Sequence, residues 1–271
     1  MPASDELNAT RGIDALFART RAEKRAALVG YLPAGYPTVA ASKELLAATL
    51  DAGADLVEVG LPYSDPVMDG PTIQAAAEAA LRNGFRLKHL FEVVESVAER
   101  GGHAVVMTYW NPVFHYGVDA FARDLAAAGG LGMITPDLTP DEAGDWLAAS
   151  EQHGLDRIFL VAPSSSEERI ALTAKAATGF VYATAVMGVT GARDRVGEAA
   201  EDLVKRTRPH TDLPIGVGLG VRSGEQAAEV AAFADAVIVG SALVTKAGES
   251  ASELAALTAE LAEGVRRPRP A

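Results

Sequence analysis

Eight short runs of apolar residues recur along the chain: 26–32 (AALVGYL), 56–61 (LVEVGL), 104–109 (AVVMTY), 132–135 (GMIT), 157–162 (RIFLVA), 180–186 (FVYATAV), 214–219 (PIGVGL) and 236–240 (AVIVG). They are near-continuous rather than alternating, the pattern of parallel strands covered by helices on their outer faces. Between them lie Ala-, Leu- and Glu-rich segments with helical periodicity, among them VAASKELLAATLDAGA, TIQAAAEAALRNG, LKHLFEVVESVAER and VDAFARDLAAAGG. Several close on glycine, the residue that most readily ends a helix. Pro37-Thr38, Thr139-Pro140 and Ser166-Glu167-Glu168 have the composition of helix starts.

Strands that each lead into a helix, repeated eight times, predict a (β/α)8 TIM barrel, class α/β, as a single domain over residues 1–271 with its core at about 26–265. The segment IDALFARTRAEK before the first strand predicts an extra N-terminal helix closing the barrel bottom. An open doubly wound sheet is the alternative. It usually carries a Gly-rich fingerprint after its first strand, and AGYPT is not one.

The strand at 56–61 breaks its own pattern with Glu58, and the loop that follows, PYSDPVMDGP, carries Asp65 and Asp69. In a barrel, chemistry sits at the C-terminal ends of strands and in the loops beyond them. A carboxyl two residues from such an end must face a polar cavity, or else pair with an Arg or Lys across the barrel. Asp69-Gly70 alone reads as a turn pair. With Glu58 it supplies two carboxylates to one mouth, a plausible acid–base pair. Late in the chain, glycine-rich segments follow the sixth, seventh and eighth strands: MGVTGARDR (187–195), GLGVRSGE (218–225) and GSALV (240–244). Glycines there serve tight turns, or they let backbone N–H groups and helix N-termini approach a phosphate, with the Ser241 hydroxyl as a further donor.

Composition narrows the chemistry. The 271 residues carry a net charge of −12, which disfavours nucleic acid and anionic membrane as partners. There is no cysteine, so thiol catalysis and Cys-type zinc sites drop out, and the cytoplasm is the expected compartment. The five histidines show no ligand spacing, no lysine falls within an expected strand, and neither a GxxxxGK[ST] nor a GxSxG motif occurs. The N-terminal MPASDELNATRGID reads as no signal peptide. What remains is carboxylate acid–base chemistry on a phosphorylated small molecule, without a metal or cofactor.

The strings VEVGLPYSDPVMDGPTIQ, YWNPVFHYG, YATAVMGVTGAR, GLGV and GSALV, in that order, resemble the tryptophan synthase alpha chain family from about residue 12 to 265. The resemblance implies a lyase that cleaves indole-3-glycerol phosphate to indole and glyceraldehyde 3-phosphate. It implies Glu58 as general acid–base residue, Asp69 as the carboxylate that contacts the indole ring, and Asp65 at the contact with a β chain. Tyr182, Thr190 and Gly191 would bind substrate from the sixth strand and the loop after it, and Gly220, Gly240 and Ser241 would bind its phosphate. An α2β2 partner chain carrying pyridoxal phosphate is implied as well, with no cofactor on this chain. Val67-Met68 and Val186-Met187 depart from the family's commonest wording. A stand-alone lyase, a mainly regulatory α subunit and a phosphoribosylanthranilate isomerase are the competing readings.

Overall fold

The structure, a computed structural model, describes residues 12–185 and 193–267. The apolar runs form parallel strands: β1 (Ala27–Pro33), β2 (Leu56–Gly60), β3 (Ala104–Met107), β4 (Gly132–Ile134), β5 (Asp156–Ile158), β6 (Leu160–Val161), β7 (Val181–Thr184), β8 (Ile215–Gly218) and β9 (Ala236–Val239). Their order in the sheet is β5-β4-β3-β2-β1-β9-β8-β7-β6. The two end strands are consecutive pieces of the fifth run, which is interrupted at the buried Phe159. That run bonds to β4 on one side and to β7 on the other. The Arg157 carbonyl accepts the Thr178 N–H at 2.8 Å and the Phe159 carbonyl accepts the Tyr182 N–H at 3.0 Å. The parallel sheet therefore closes on itself as the expected TIM barrel, with nine assigned strands in place of eight because one run changes partners midway.

Strand side chains alternate between the helix-covered outside and the barrel interior. Val29, Leu56, Val105, Ile134, Ile158 and Ile238 pack together in the interior, and helix Gly12–Ala22 adds Ile13, Leu16 and Phe17 to the same cluster. Those three recur at helical spacing, so one face of the helix plugs the barrel bottom, with the Phe17 ring 5.9 Å from that of Phe180. Beside this plug lies a buried ion pair. Arg25 donates to both oxygens of Asp55, at 2.7 and 2.8 Å. The Leu28 N–H donates to Asp55 Oδ2 at 3.0 Å.

Two of the three helix starts hold as N-caps: Thr38 accepts from the Ala41 N–H, and Ser166 accepts from the Arg169 N–H. Thr139-Pro140 does not open a helix. It opens a turn closed by the Glu142 N–H on the Thr139 carbonyl at 3.0 Å, and the helix starts at Gly144. Conversely, WNPVFHY forms a short helix, Trp110–Tyr116, that periodicity did not announce. Its proline falls in the first turn, where a missing N–H is tolerated. Its first N–H is capped by the Asp137 carboxylate at 2.9 and 3.1 Å, from the loop after β4. No helix among the described residues is long and apolar enough to cross a membrane.

Candidate active site

Glu58 shares the inward face of β2 with Leu56, one layer nearer the C-terminal mouth. It is 1% exposed, and its Oε1 has no hydrogen-bond partner. Among the described residues no cation pairs with it, which speaks against the ion-pair alternative. Burial instead pushes the carboxyl up to about 8. A buried carboxyl with a raised pKa that lines a cavity is a candidate acid–base group.

That cavity, about 430 Å³, opens at the C-terminal ends of β1, β2, β7, β8 and β9. Two tyrosines, Tyr31 buried and Tyr182 half-buried, flank Glu58 within it. Tyr31 is the register partner of Glu58 across β1 and β2, and Tyr182 stands on β7. Two strand glycines clear their space. A Cβ on Gly60 would lie 2.5 Å from Tyr31 Cζ, and one on Gly218 would lie 2.5 Å from the Tyr182 hydroxyl. Burial, with the nearby carboxylates, raises both phenols well above their ordinary value, so both remain hydrogen-bond donors.

Asp69 reaches the same cavity from the loop after β2, one residue before the Gly70 N-cap of helix Pro71–Arg82. Its backbone carbonyl is held by Gln74 Nε2 at 2.8 Å. The Tyr109 hydroxyl accepts N–H groups from Val67 at 3.1 Å and Met68 at 2.9 Å. The same hydroxyl hydrogen bonds the Asp69 carboxylate, which lowers that group's pKa, but burial is the larger effect and leaves it raised. Asp69 is thus more than a turn residue. It lines the same cavity as Glu58.

Farther round the barrel, Gly220, Gly240 and Ser241 line the cavity where β8 and β9 end. Gly220 has φ +78°, a conformation that favours glycine. Gly240 is the N-cap of helix Ser241–Glu249, so Ser241 offers its N–H and hydroxyl at a helix N-terminus. Of the residues singled out in the sequence, the structure brings together Glu58, Asp69, Tyr182, Gly220, Gly240 and Ser241. Asp65 lies away from them on the exposed part of the loop, where its carboxylate accepts from the Ser64 hydroxyl at 2.5 Å. Thr190 and Gly191 lie outside the described residues, as do Val186 and Met187. Sequence reasoning missed Tyr31, Tyr109 and Arg222. Tyr31 had a usable signal, since it continues the inward set of Val29 at a spacing of two.

The model of the tryptophan synthase alpha chain matches residues 17–268. The chain belongs to the tryptophan synthase alpha chain family. It is 65% identical over 250 residues to the alpha chain of Nocardia farcinica, covering 92% of this chain and 94% of that one. It is 62% identical over 266 residues to the Mycobacterium tuberculosis alpha chain, covering 98% of each. A solved structure of Mycobacterium tuberculosis tryptophan synthase superposes with TM-score 0.91 at 61% identity, over 95% of this chain and 99% of that one. The fold persists at lower identity. An alpha subunit from Legionella pneumophila, 31% identical, gives TM-score 0.87 over 95% of this chain and 99% of that one. The family's reaction, lyase cleavage of indole-3-glycerol phosphate, needs an acid, a ring-nitrogen acceptor and a phosphate cradle. Glu58, Asp69 and the β8–β9 wall are groups of those kinds.

Proposed function

We propose that Glu58 and Asp69 carry the cleavage of indole-3-glycerol phosphate to indole and glyceraldehyde 3-phosphate in this chain. The observation that carries the assignment is the buried Glu58, its Oε1 without a hydrogen-bond partner among the described residues, lining one cavity with Asp69. Indole is a poor carbanion leaving group, so the ring must first be protonated at C3. Glu58 supplies that proton, and positive charge grows on the ring nitrogen. Asp69 accepts the indole N–H and stabilises this charge. The Glu58 carboxylate so formed takes the proton of the C3′ hydroxyl, whose oxygen becomes the aldehyde carbonyl. The C3–C3′ bond breaks and its electrons return to the ring as neutral indole. Glu58 ends protonated, as it began, and a carboxyl near neutrality suits both transfers.

The Tyr182 phenol offers a hydrogen-bond donor beside the glycerol portion, and Gly220, Gly240 and Ser241 hold the phosphate with backbone and hydroxyl donors. No step draws on a cofactor of this chain. The expected partner is a tryptophan synthase β chain in an α2β2 tetramer, which would carry pyridoxal phosphate and receive the indole. Asp65, exposed with Val67 and Met68 on the loop above the mouth, belongs to the expected contact surface. The whole chain would act as one domain in the cytoplasm.

The test is indole release from indole-3-glycerol phosphate by wild type and Glu58→Gln, each with and without a cognate β chain. Active wild type, faster with β, and an inactive variant that still binds ligand would bear the proposal out. A wild type inert in both conditions that nonetheless stimulates β would make the chain a regulatory subunit. Activity indifferent to β would instead favour a stand-alone lyase.

A further inference from the structure

The ligand proposed above ends in a phosphate that is largely dianionic near neutral pH. It must enter a chain of net charge −12 and a cavity that already holds Glu58 and Asp69. The phosphate contacts taken from the sequence, Gly220, Gly240 and Ser241, are all neutral. Arg222 is the only Lys or Arg among the described residues lining this cavity. Most other arginines on the surface are engaged: Arg82, Arg100, Arg123, Arg169, Arg206 and Arg208 each pair with a carboxylate. The Arg222 guanidinium has no such partner among the described residues, and only its backbone N–H is bonded.

Its backbone, by contrast, is fixed. The Arg222 N–H donates to Gln226 Oε1 at 2.8 Å, and the Gln226 N–H donates back to Ser223 Oγ at 3.3 Å, capping helix Gly224–Ala231. Val221, 1% exposed, anchors the preceding residue in the core. The side chain therefore leaves a hydrogen-bonded turn after β8, with no carboxylate partner among the described residues. In the sheet, β1 and β9 separate β8 from the Glu58-bearing β2. Arg222 lines the same cavity as Glu58 and Asp69, two residues along the chain from Gly220.

We propose that Arg222 is a specificity-determining residue that binds the substrate's phosphate, adding charge-assisted hydrogen bonds to the neutral donors of Gly220, Gly240 and Ser241. The inference rests on the reading of the ligand given above and extends it. Arginine suits the task because its planar fork matches phosphate oxygens and it stays ionised at any working pH. The phosphate does not change during C–C cleavage, so Arg222 holds substrate and transition state equally. Its loss should raise KM and leave kcat alone.

The experiment compares wild type, Arg222→Gln and Arg222→Lys in the full chain, measuring kcat and KM for indole-3-glycerol phosphate at low and high salt. Calorimetric binding of inorganic phosphate is measured alongside. Arg222→Gln should raise KM and weaken phosphate binding by about ten- to a hundredfold, with kcat within about threefold of wild type. The salt dependence of kcat/KM should flatten, and Arg222→Lys should recover part of the loss. Thermal midpoints should hardly move, because the side chain makes no hydrogen bond or ion pair among the described residues. An active wild type with KM and phosphate binding unchanged in Arg222→Gln would overturn the inference while leaving the lyase reading intact. A fall confined to kcat would also overturn it. If wild type does not cleave the substrate but Arg222→Gln still loses phosphate binding, the lyase reading fails and the anion-binding role stands.

Discussion

Asp55 and Glu58 stand three residues apart on one chain segment and meet opposite environments. Asp55, just before β2, is gripped by Arg25 at 2.7 and 2.8 Å at the barrel bottom. Glu58, in the middle of β2, is also buried and has no cation partner among the described residues. The first carboxyl is held ionised and the second is held neutral. The same strand thus carries a stability element at its entrance and the proposed acid–base group farther along, the division of labour common to barrels of this kind.

Asp55→Asn should destabilise the fold by about 3–5 kcal/mol, because it leaves the Arg25 guanidinium buried beside a neutral group. Burial alone would raise the Asp55 carboxyl, but Arg25, the Leu28 N–H and the charge of Arg19 outweigh it and hold the value below normal. A lowered folded-state pKa contributes stability above the unfolded value, and that contribution disappears as pH falls through the folded value. Wild type should therefore lose stability below about pH 4, and the variant should lack this part of the acid slope. Denaturant midpoints at neutral and acid pH check both points; equal stability of the two proteins at pH 7 would refute the ion-pair argument.

Glu58→Gln should stabilise the protein, with the sign of the pH effect reversed. The carboxyl ionises at an ordinary 4.5 in the unfolded chain and at about 8 in the folded one. Between those values the folded state binds a proton that the unfolded state has released, so wild-type stability falls as pH rises. The slope approaches 1.4 kcal/mol per pH unit, amounting to roughly a few kcal/mol by pH 8. The variant should match wild type near pH 5 and exceed it at pH 8, by urea unfolding. No gap at pH 8 would mean that the carboxyl finds a charge-stabilising partner in solution.

The same group sets the direction of the pH–rate profile. If the neutral acid protonates indole C3, kcat/KM should decline as pH rises through about 8, where free Glu58 loses its proton. The profile should follow an NMR titration of that carboxyl. A kcat/KM that instead rises through pH 8 would assign the active form to the carboxylate and reverse the order of the two proton transfers.

Much of this was legible in the residues themselves, for identifiable reasons. Parallel strands buried on both faces leave continuous apolar runs, so eight of them spell a barrel without any knowledge of contacts. Glu58 could be singled out because a charge within such a run has no comfortable alternative. Asp69 was half-legible, since its turn chemistry masked its role until Glu58 stood beside it. The rest depends on which strand lies against which. The change of partner at Phe159 comes from barrel closure, and the Arg25–Asp55 pair joins residues 30 apart. Helix Trp110–Tyr116 owes its first cap to Asp137, 27 residues downstream, so local periodicity could not announce it. Thr139-Pro140 shows the converse, helix-start chemistry spent on a turn.

Tyr109 illustrates the same point and yields a final prediction. Its phenol is the acceptor for the Val67 and Met68 N–H groups and a hydrogen-bond partner of Asp69, while its ring lies 5.4 Å from that of Tyr63. Tyr109→Phe keeps the ring packing and deletes only the hydroxyl. Two N–H groups of the loop then lose their acceptor and Asp69 loses a partner that lowers its pKa, so that carboxyl should titrate higher still. The loop is largely exposed, Val67 at 81%, so global stability should change by no more than about 1 kcal/mol. Activity should respond more strongly, because Asp69 must be ionised and in place when charge develops on the ring nitrogen. We expect kcat/KM to fall by about tenfold, with its acid limb displaced to higher pH. The effect should nearly vanish in an Asp69→Asn background, where there is no carboxylate left to position. Additive losses in the double variant would place Tyr109 on a separate task, and an unaltered acid limb would sever the link between the Tyr109 hydroxyl and Asp69.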